Sequence, residues 1–132
     1  MSTILPAYNP ADHLPPPADL FPSLRLTKHP TRQQDCRVYL SSAIAQRLGL
    51  KAYQPIDLLP PSAGHNYWHL DLRPTAKRRV AWHKDTRPRI DYLPLTAQLL
   101  GRESLTLCLV PGDPAFPGFY PLLPRAFFAA QP

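Results

Sequence analysis

Val38-Tyr39-Leu40-Ser41-Ser42-Ala43-Ile44-Ala45-Gln46-Arg47-Leu48-Gly49 is the stretch on which the fold turns. Its first residues close an alternating run, Cys36-Arg37-Val38-Tyr39-Leu40, which spells a strand. Ser41 or Ser42 suits a helix start, because a hydroxyl there accepts one of the amides left without a partner in the first turn. Ile44 and Leu48 stand four apart on one face of a short helix, and Gly49 ends it where a left-handed residue is needed. Pro55-Ile56-Asp57-Leu58-Leu59 is then a strand, closed by Pro60-Pro61. Upstream, Leu24-Arg25-Leu26-Thr27 alternates as another strand, and the polar run Pro30 to Asp35 turns the chain back.

The same order of elements recurs. Tyr67-Trp68-His69-Leu70-Asp71-Leu72 alternates as a first strand, and Leu70-Asp71-Leu72-Arg73 echoes Leu24-Arg25-Leu26-Thr27. Arg89-Ile90-Asp91-Tyr92 parallels Arg37-Val38-Tyr39-Leu40 at an offset of 52 residues, and Ala97-Gln98-Leu99-Leu100-Gly101 parallels Ala45-Gln46-Arg47-Leu48-Gly49 at the same offset. Pro94 suits a first helical turn. Leu105 to Pro111 then matches the Ile56–Pro60 strand after a one-residue slip. The expected fold is mainly β with two short helices, a pseudo-two-fold barrel built from a duplicated strand–helix–strand unit. The halves cover about 23–61 and 66–111 of a domain spanning 23–111.

The segment Val38 to Lys51, continued by Ile56-Asp57-Leu58-Leu59, resembles the core of the AbrB/MazE/SpoVT-type swapped-hairpin domains: a strand, a short helix ending in Leu-Gly-Leu, a turn and a strand. Ile90 to Val110 looks like a second such unit, and double-psi β-barrels hold two related units in one chain. The resemblance implies a cradle-loop barrel. Its DNA-binding members meet DNA through basic hairpin loops. Where that family often has proline near the helix start, this chain has Ser41-Ser42 in the first unit and Pro94 in the second; where the family often has Gly-Asp before the last strand, it has Ala52-Tyr53-Gln54-Pro55 and Arg102-Glu103-Ser104.

Proline, at 19 of 132 residues, argues independently for short elements and many turns, since it breaks helix interiors and cannot donate to a sheet ladder. Residues 1–22 hold six prolines and no apolar period, and read as an extended or disordered arm. Residues 112–132 are rich in proline and aromatic residues and read as a tail that packs on the barrel or on a partner.

The net charge of +6 is concentrated. Residues 73–89 carry Arg73, Lys77, Arg78, Arg79, Lys84, Arg87 and Arg89 against Asp85, and the rest of the chain is neutral. Arginine and lysine neutralise phosphates, and Trp82 within the stretch supplies a ring on which a base can stack. Arg73, Lys77, Arg78, Arg79, Trp82, Lys84, Arg87 and Arg89 are therefore the candidate nucleic-acid contacts. Arg78 and Arg79 would face opposite ways if the stretch is a strand. The competing readings are a solvated loop whose tryptophan packs in the core, and an acidic protein partner. A protein-interaction module docking through the arm and tail is the alternative function, and an enzyme of the double-psi-barrel kind is a minor alternative.

Catalytic, metal and cofactor chemistry is not expected. The nine acids are scattered, with none in a catalytic pattern, and five glycines make no phosphate-cradling loop. His65, His69 and His83 lack a second close pair and the Cys-x2-Cys spacing of a metal site. Neither a signal-like region nor a run of 18 apolar residues is present, so a cytoplasmic monomer or homodimer with no membrane association and reduced thiols is expected. Whether Cys36 and Cys108 pair stays open at the level of sequence.

Overall fold

A computed structural model describes residues 22–32, 34–62, 67–83, 86–110 and 117–125. The proline-rich arm lies outside them apart from Pro22, as do His65, Lys84 and Asp85. The strands, in chain order, are β1 (Ser23–Lys28), β2 (Cys36–Leu40), β3 (Pro55–Leu59), β4 (Trp68–Asp71), β5 (Arg78–Arg79), β6 (Arg89–Leu93), β7 (Ser104–Leu109) and β8 (Phe119–Pro124). One α-helix, α1 (Ser42–Leu48), follows β2. All pairings among these strands are antiparallel, in the order β5-β3-β4-β8-β7-β1-β2-β6.

The sheet curls until its ends almost meet. Arg78 and Arg79 pair with Ile56 and Pro55 of β3, and the Val80 amide continues that ladder to the Gln54 carbonyl at 3.0 Å. One residue on, Ala81 exchanges two hydrogen bonds of 2.8 and 2.9 Å with Arg89 of β6. Four consecutive residues thus bridge the two edges, which makes a nearly closed antiparallel β-barrel. Closure matters because an open edge leaves amides and carbonyls unpaired.

Alternation decides which side chains fill the barrel. Leu24 and Leu26 of β1 face Val38 and Leu40 of β2. With Ile56, Leu58, Leu70, Ile90, Leu107 and Leu122 they form one core cluster, none more than 2 % exposed. Burying a side chain of this size contributes roughly 1.5–3 kcal/mol before entropic costs. Ile44 and Leu50 close the cluster from α1 and the turn after it. The helix has the ends expected of it. Ser41 accepts from the Ile44 amide at 3.1 Å, and Gly49 is left-handed at φ 62°.

Two departures from the expected elements have physical reasons. The second helix is a single 3-10 turn, Thr96–Leu99, because Leu95 offers no side-chain cap and Leu100 already turns left-handed. Strand β8 arises where proline argued against a central strand. Pro121 still accepts from the Val110 amide at 3.0 Å, and this contact lies just past the last β7 pair, Leu109–Leu122. N–H and C=O of one residue point to the same neighbour in a strand. The donor that Pro121 lacks would therefore face Val110, just past the end of β7, so its absence costs only a terminal bond of the ladder. Pro124 likewise lies past the β4–β8 ladder, which reaches only the Trp68–Leu122 pair.

The barrel's outside is not uniform. Outward residues of β4, β7 and β8, among them Tyr67, His69, Cys108 and Leu123, are buried. The outward residues of β1, β2 and β6 are polar and reach solvent: Arg25 and Thr27, Arg37 and Tyr39, Arg89 and Asp91.

Candidate nucleic-acid interface

The structure disperses the basic stretch 73–89 rather than presenting it as one surface. Three of its arginines are held by carboxylates. Arg73 forks onto Asp71, with Nε 3.0 Å from Oδ1 and Nη2 3.1 Å from Oδ2. Its guanidinium also lies 4.1 Å from the centroid of the Phe119 ring. Gly118 permits that approach, since a β-carbon there would stand 2.8 Å from Arg73 Cγ. Arg78 donates to Asp57 Oδ1 at 2.9 Å, and Arg89 donates through Nε to Asp91 Oδ2 at 3.0 Å. Lys77, Arg79 and Arg87 are exposed and form no ion pair with another described residue. Trp82 is half-buried and packs against the core.

Asp91 is the hub of the outer β1–β2–β6 face. A bulge in β6 sets Asp91 and Tyr92 opposite Arg37, and Tyr92 takes a left-handed φ of 63°. That extra residue brings Asp91 between Arg37, 2.6 Å away, and Arg89. Burial alone would raise the Asp91 pKa, but hydrogen bonds from Arg89 and Arg37 outweigh it and hold the carboxyl below its ordinary range. Arg37 in turn is raised, chiefly by its contact with the Tyr39 hydroxyl and despite desolvation. The bulge also aims Tyr92 outward, where it stacks on His29 at 5.0 Å and lies beneath Arg32 at 4.6 Å. His29 Nδ1 accepts from the amides of Thr31 and Arg32, both at 3.2 Å, which locks the β1–β2 turn.

Beside this saturated network lies an open one. Arg25, Tyr39, Ser41, Arg87, Thr106 and Arg125 line a cavity of about 270 Å³ at the start of α1. Register explains the convergence: Arg25 stands opposite Tyr39 on one side and Thr106 on the other. The Arg25 guanidinium sits 5.6 Å from the Tyr39 ring centroid. No carboxylate among the described residues lines the cavity. Arg37 and Arg89, both paired with Asp91, add two further guanidiniums to this face. Of the residues singled out from sequence, Arg87 alone lines this cavity. Arg25 alternates visibly outward in Leu24-Arg25-Leu26, but nothing in the sequence places Tyr39, Thr106 and Arg125 around it.

A second convergence joins Asp57, Asp71 and His69 on the outer face of β3 and β4, where Asp57 and Asp71 are direct cross-strand partners. It has the residue types of acid–base chemistry. Yet each carboxylate is already held by a guanidinium. For Asp71, burial favours the protonated form, but the hydrogen bonds from Arg73 prevail and the net shift is downward, which makes it a poor proton acceptor. Among the described residues no group of three or more His, Cys, Asp or Glu side chains is placed to hold a metal ion. Cys36 and Cys108 are unpaired and buried. They stand opposite Lys28 and Ser23, five residues apart along β1, so roughly 17 Å separates them along the strand, beyond disulfide reach. No helix among the described residues is long and apolar enough to cross a membrane.

The fold and this face define a nearly closed antiparallel barrel with an arginine-lined cavity on its outer wall. No protein family, no curated protein and no solved structure matches the chain.

Proposed function

We propose that this chain is a small non-enzymatic protein that binds nucleic acid on the outer face of β1, β2 and β6. The observation that carries the reading is the cavity in which Arg25, Arg87 and Arg125 meet with Tyr39 and Thr106 and without a described carboxylate. Guanidiniums are the side chains best matched to phosphate oxygens, and unpaired ones retain their full charge for that purpose. Arg37 and Arg89, tied to Asp91, frame the cavity and add to its positive field. Arg73 and Arg78 are structural in this reading, while Lys77 and Arg79 extend the positive surface elsewhere on the barrel. Of the alternative docking segments, the arm at residues 1–22 apart from Pro22 and most of the tail lie outside the described residues.

The finer fold reading, a cradle-loop barrel of the AbrB or double-psi kind with duplicated halves, belongs to the same proposal. It is supported by the pairing of Val38 with Ile90, which occupy equivalent places at the offset of 52. Equivalent residues face one another in an antiparallel pair when a two-fold axis passes between them. The pair β1–β7 likewise has its counterpart in β4–β3. The pair β1–β2 has none, because β4 turns to β8.

Fluorescence anisotropy of a labelled 12-mer across a salt series tests the binding reading. Affinity should fall steeply with salt. Changing Arg25, Arg87 and Arg125 to glutamate should flatten the log–log slope by roughly 0.7 for each phosphate no longer neutralised. An unchanged slope, or the same flattening on changing Arg73 alone, would place the binding surface elsewhere.

A further inference from the structure

The arginine cavity has a neighbour. Ser42, Gln46, Leu50, Lys51, Trp82 and Pro88 line a second, more apolar cavity of about 460 Å³ on the other side of the α1 start. The two share a wall made of two dipeptides. Ser41 and Arg87 face the first cavity, while Ser42 and Pro88 face the second. A hydrogen bond of 2.9 Å from the amide of Leu40, the residue before Ser41, to the Pro88 carbonyl holds the two chain segments together. Trp82 packs against the core and also lines the second cavity. Lys51 stands at that cavity with no described carboxylate beside it.

Resting on the binding reading above, we infer that the ligand is a single-stranded nucleic acid, with a phosphate among Arg25, Arg87 and Arg125 and an adjacent base against Trp82. Three features select this occupant. A strand of nucleic acid alternates charged phosphates with flat apolar bases, and the two cavities alternate the same way across one ridge. The second volume falls within the range of small-ligand pockets and is lined by Trp82, Leu50 and Pro88, with Gln46 also at its wall. Both cavities lack a described carboxylate, so the charge complementarity extends over the whole path. A duplex keeps its bases stacked on one another and away from Trp82, so it is held by its phosphates alone. DNA and RNA share this chemistry.

The test uses the full chain with four labelled 12-mers: a DNA strand, the same strand as RNA, its DNA duplex, and an abasic strand carrying the same phosphates. The inference expects both single strands to bind at least about tenfold more tightly than the abasic strand and the duplex. It also expects quenching of tryptophan emission that is absent in Trp82→Phe, since Trp68 is only 3 % exposed. Trp82→Leu should lose the tenfold margin while keeping the salt slope. The abasic comparison needs no variant and stands if Trp82→Leu fails to fold. Equal affinity for all four probes with unquenched emission would overturn the stacking inference and leave the phosphate reading intact. Absence of binding by every probe at low salt would overturn both.

Discussion

Arg78→Ala isolates the device that closes the barrel. The guanidinium spans from Asp57 on β3, at 2.9 Å, toward the Tyr92 carbonyl on β6, at 3.5 Å, and so ties together the two edges of the sheet. Asp57 is only 6 % exposed, and it also accepts from the Leu58 amide at 2.9 Å. Removing one partner of a buried pair costs about 3–5 kcal/mol, because the other charge is left without compensation. Here the Arg78 side chain is 27 % exposed, so water can enter the gap. Halving the figure gives about 2 kcal/mol. For a domain of this size that is a fall in Tm of about 8 °C. Differential scanning fluorimetry measures it, and amide exchange locates it, because the Ala81 and Arg89 amides should lose protection before those of Leu24 to Leu40. Replacing both partners, Asp57→Leu with Arg78→Leu, should recover most of the deficit, since two apolar side chains leave no stranded charge. A Tm within about 2 °C of wild type for Arg78→Ala, or unchanged protection at Ala81, would refute Arg78 as the closing tie.

Two further outcomes follow from the buried groups. Asp71 and Asp91 both ionise below the ordinary carboxylate value of 3.8 in the folded chain, so the stability they contribute is complete above that value and disappears as pH falls through their lowered values. Denaturant midpoints should therefore be flat from pH 7 to about pH 5 and fall steeply below about pH 4, with a shallower fall in Asp91→Asn. Desolvation pushes both cysteine thiols above their ordinary range, against smaller lowering contacts at each. A thiol reagent at about pH 8 should label neither quickly in the native chain and both in denaturant, with no disulfide by non-reducing mass spectrometry. Rapid native labelling would contradict the burial of Cys36.

Much of the architecture was legible because period-two alternation at Leu24–Thr27, Cys36–Leu40 and Leu70–Leu72 reports burial directly. The ends of α1 were legible because Ser41 and Gly49 are read by local geometry alone. The 3-10 turn at Thr96–Leu99 was overestimated as a helix, since a terminal glycine marks an end without guaranteeing a cap at the start. Strand β8 was hidden by Pro121 and Pro124, which reveal their harmlessness only once the ladder ends are known. At the site, the basic composition of 73–89 was visible, but its consumption was not fully read. Asp71 and Arg73, and Arg89 and Asp91, stand two apart and so on the same side of a strand or its continuation, which was a usable signal of ion pairing. The Asp57–Arg78 pair and the gathering of Arg25, Arg87 and Arg125 depend on strand register between distant segments, which no local pattern encodes.

The central claim is that the outer face of β1 and β2, rather than the basic stretch as a whole, meets the ligand. Amide chemical-shift mapping on titration with a single-stranded 12-mer tests it most directly. The largest shifts are expected at Arg25, Tyr39, Ser41, Arg87 and Thr106, with Arg73 and Lys77 little moved. Shifts centred on Arg73, Lys77 and Arg79 with a quiet β1–β2 face would contradict it.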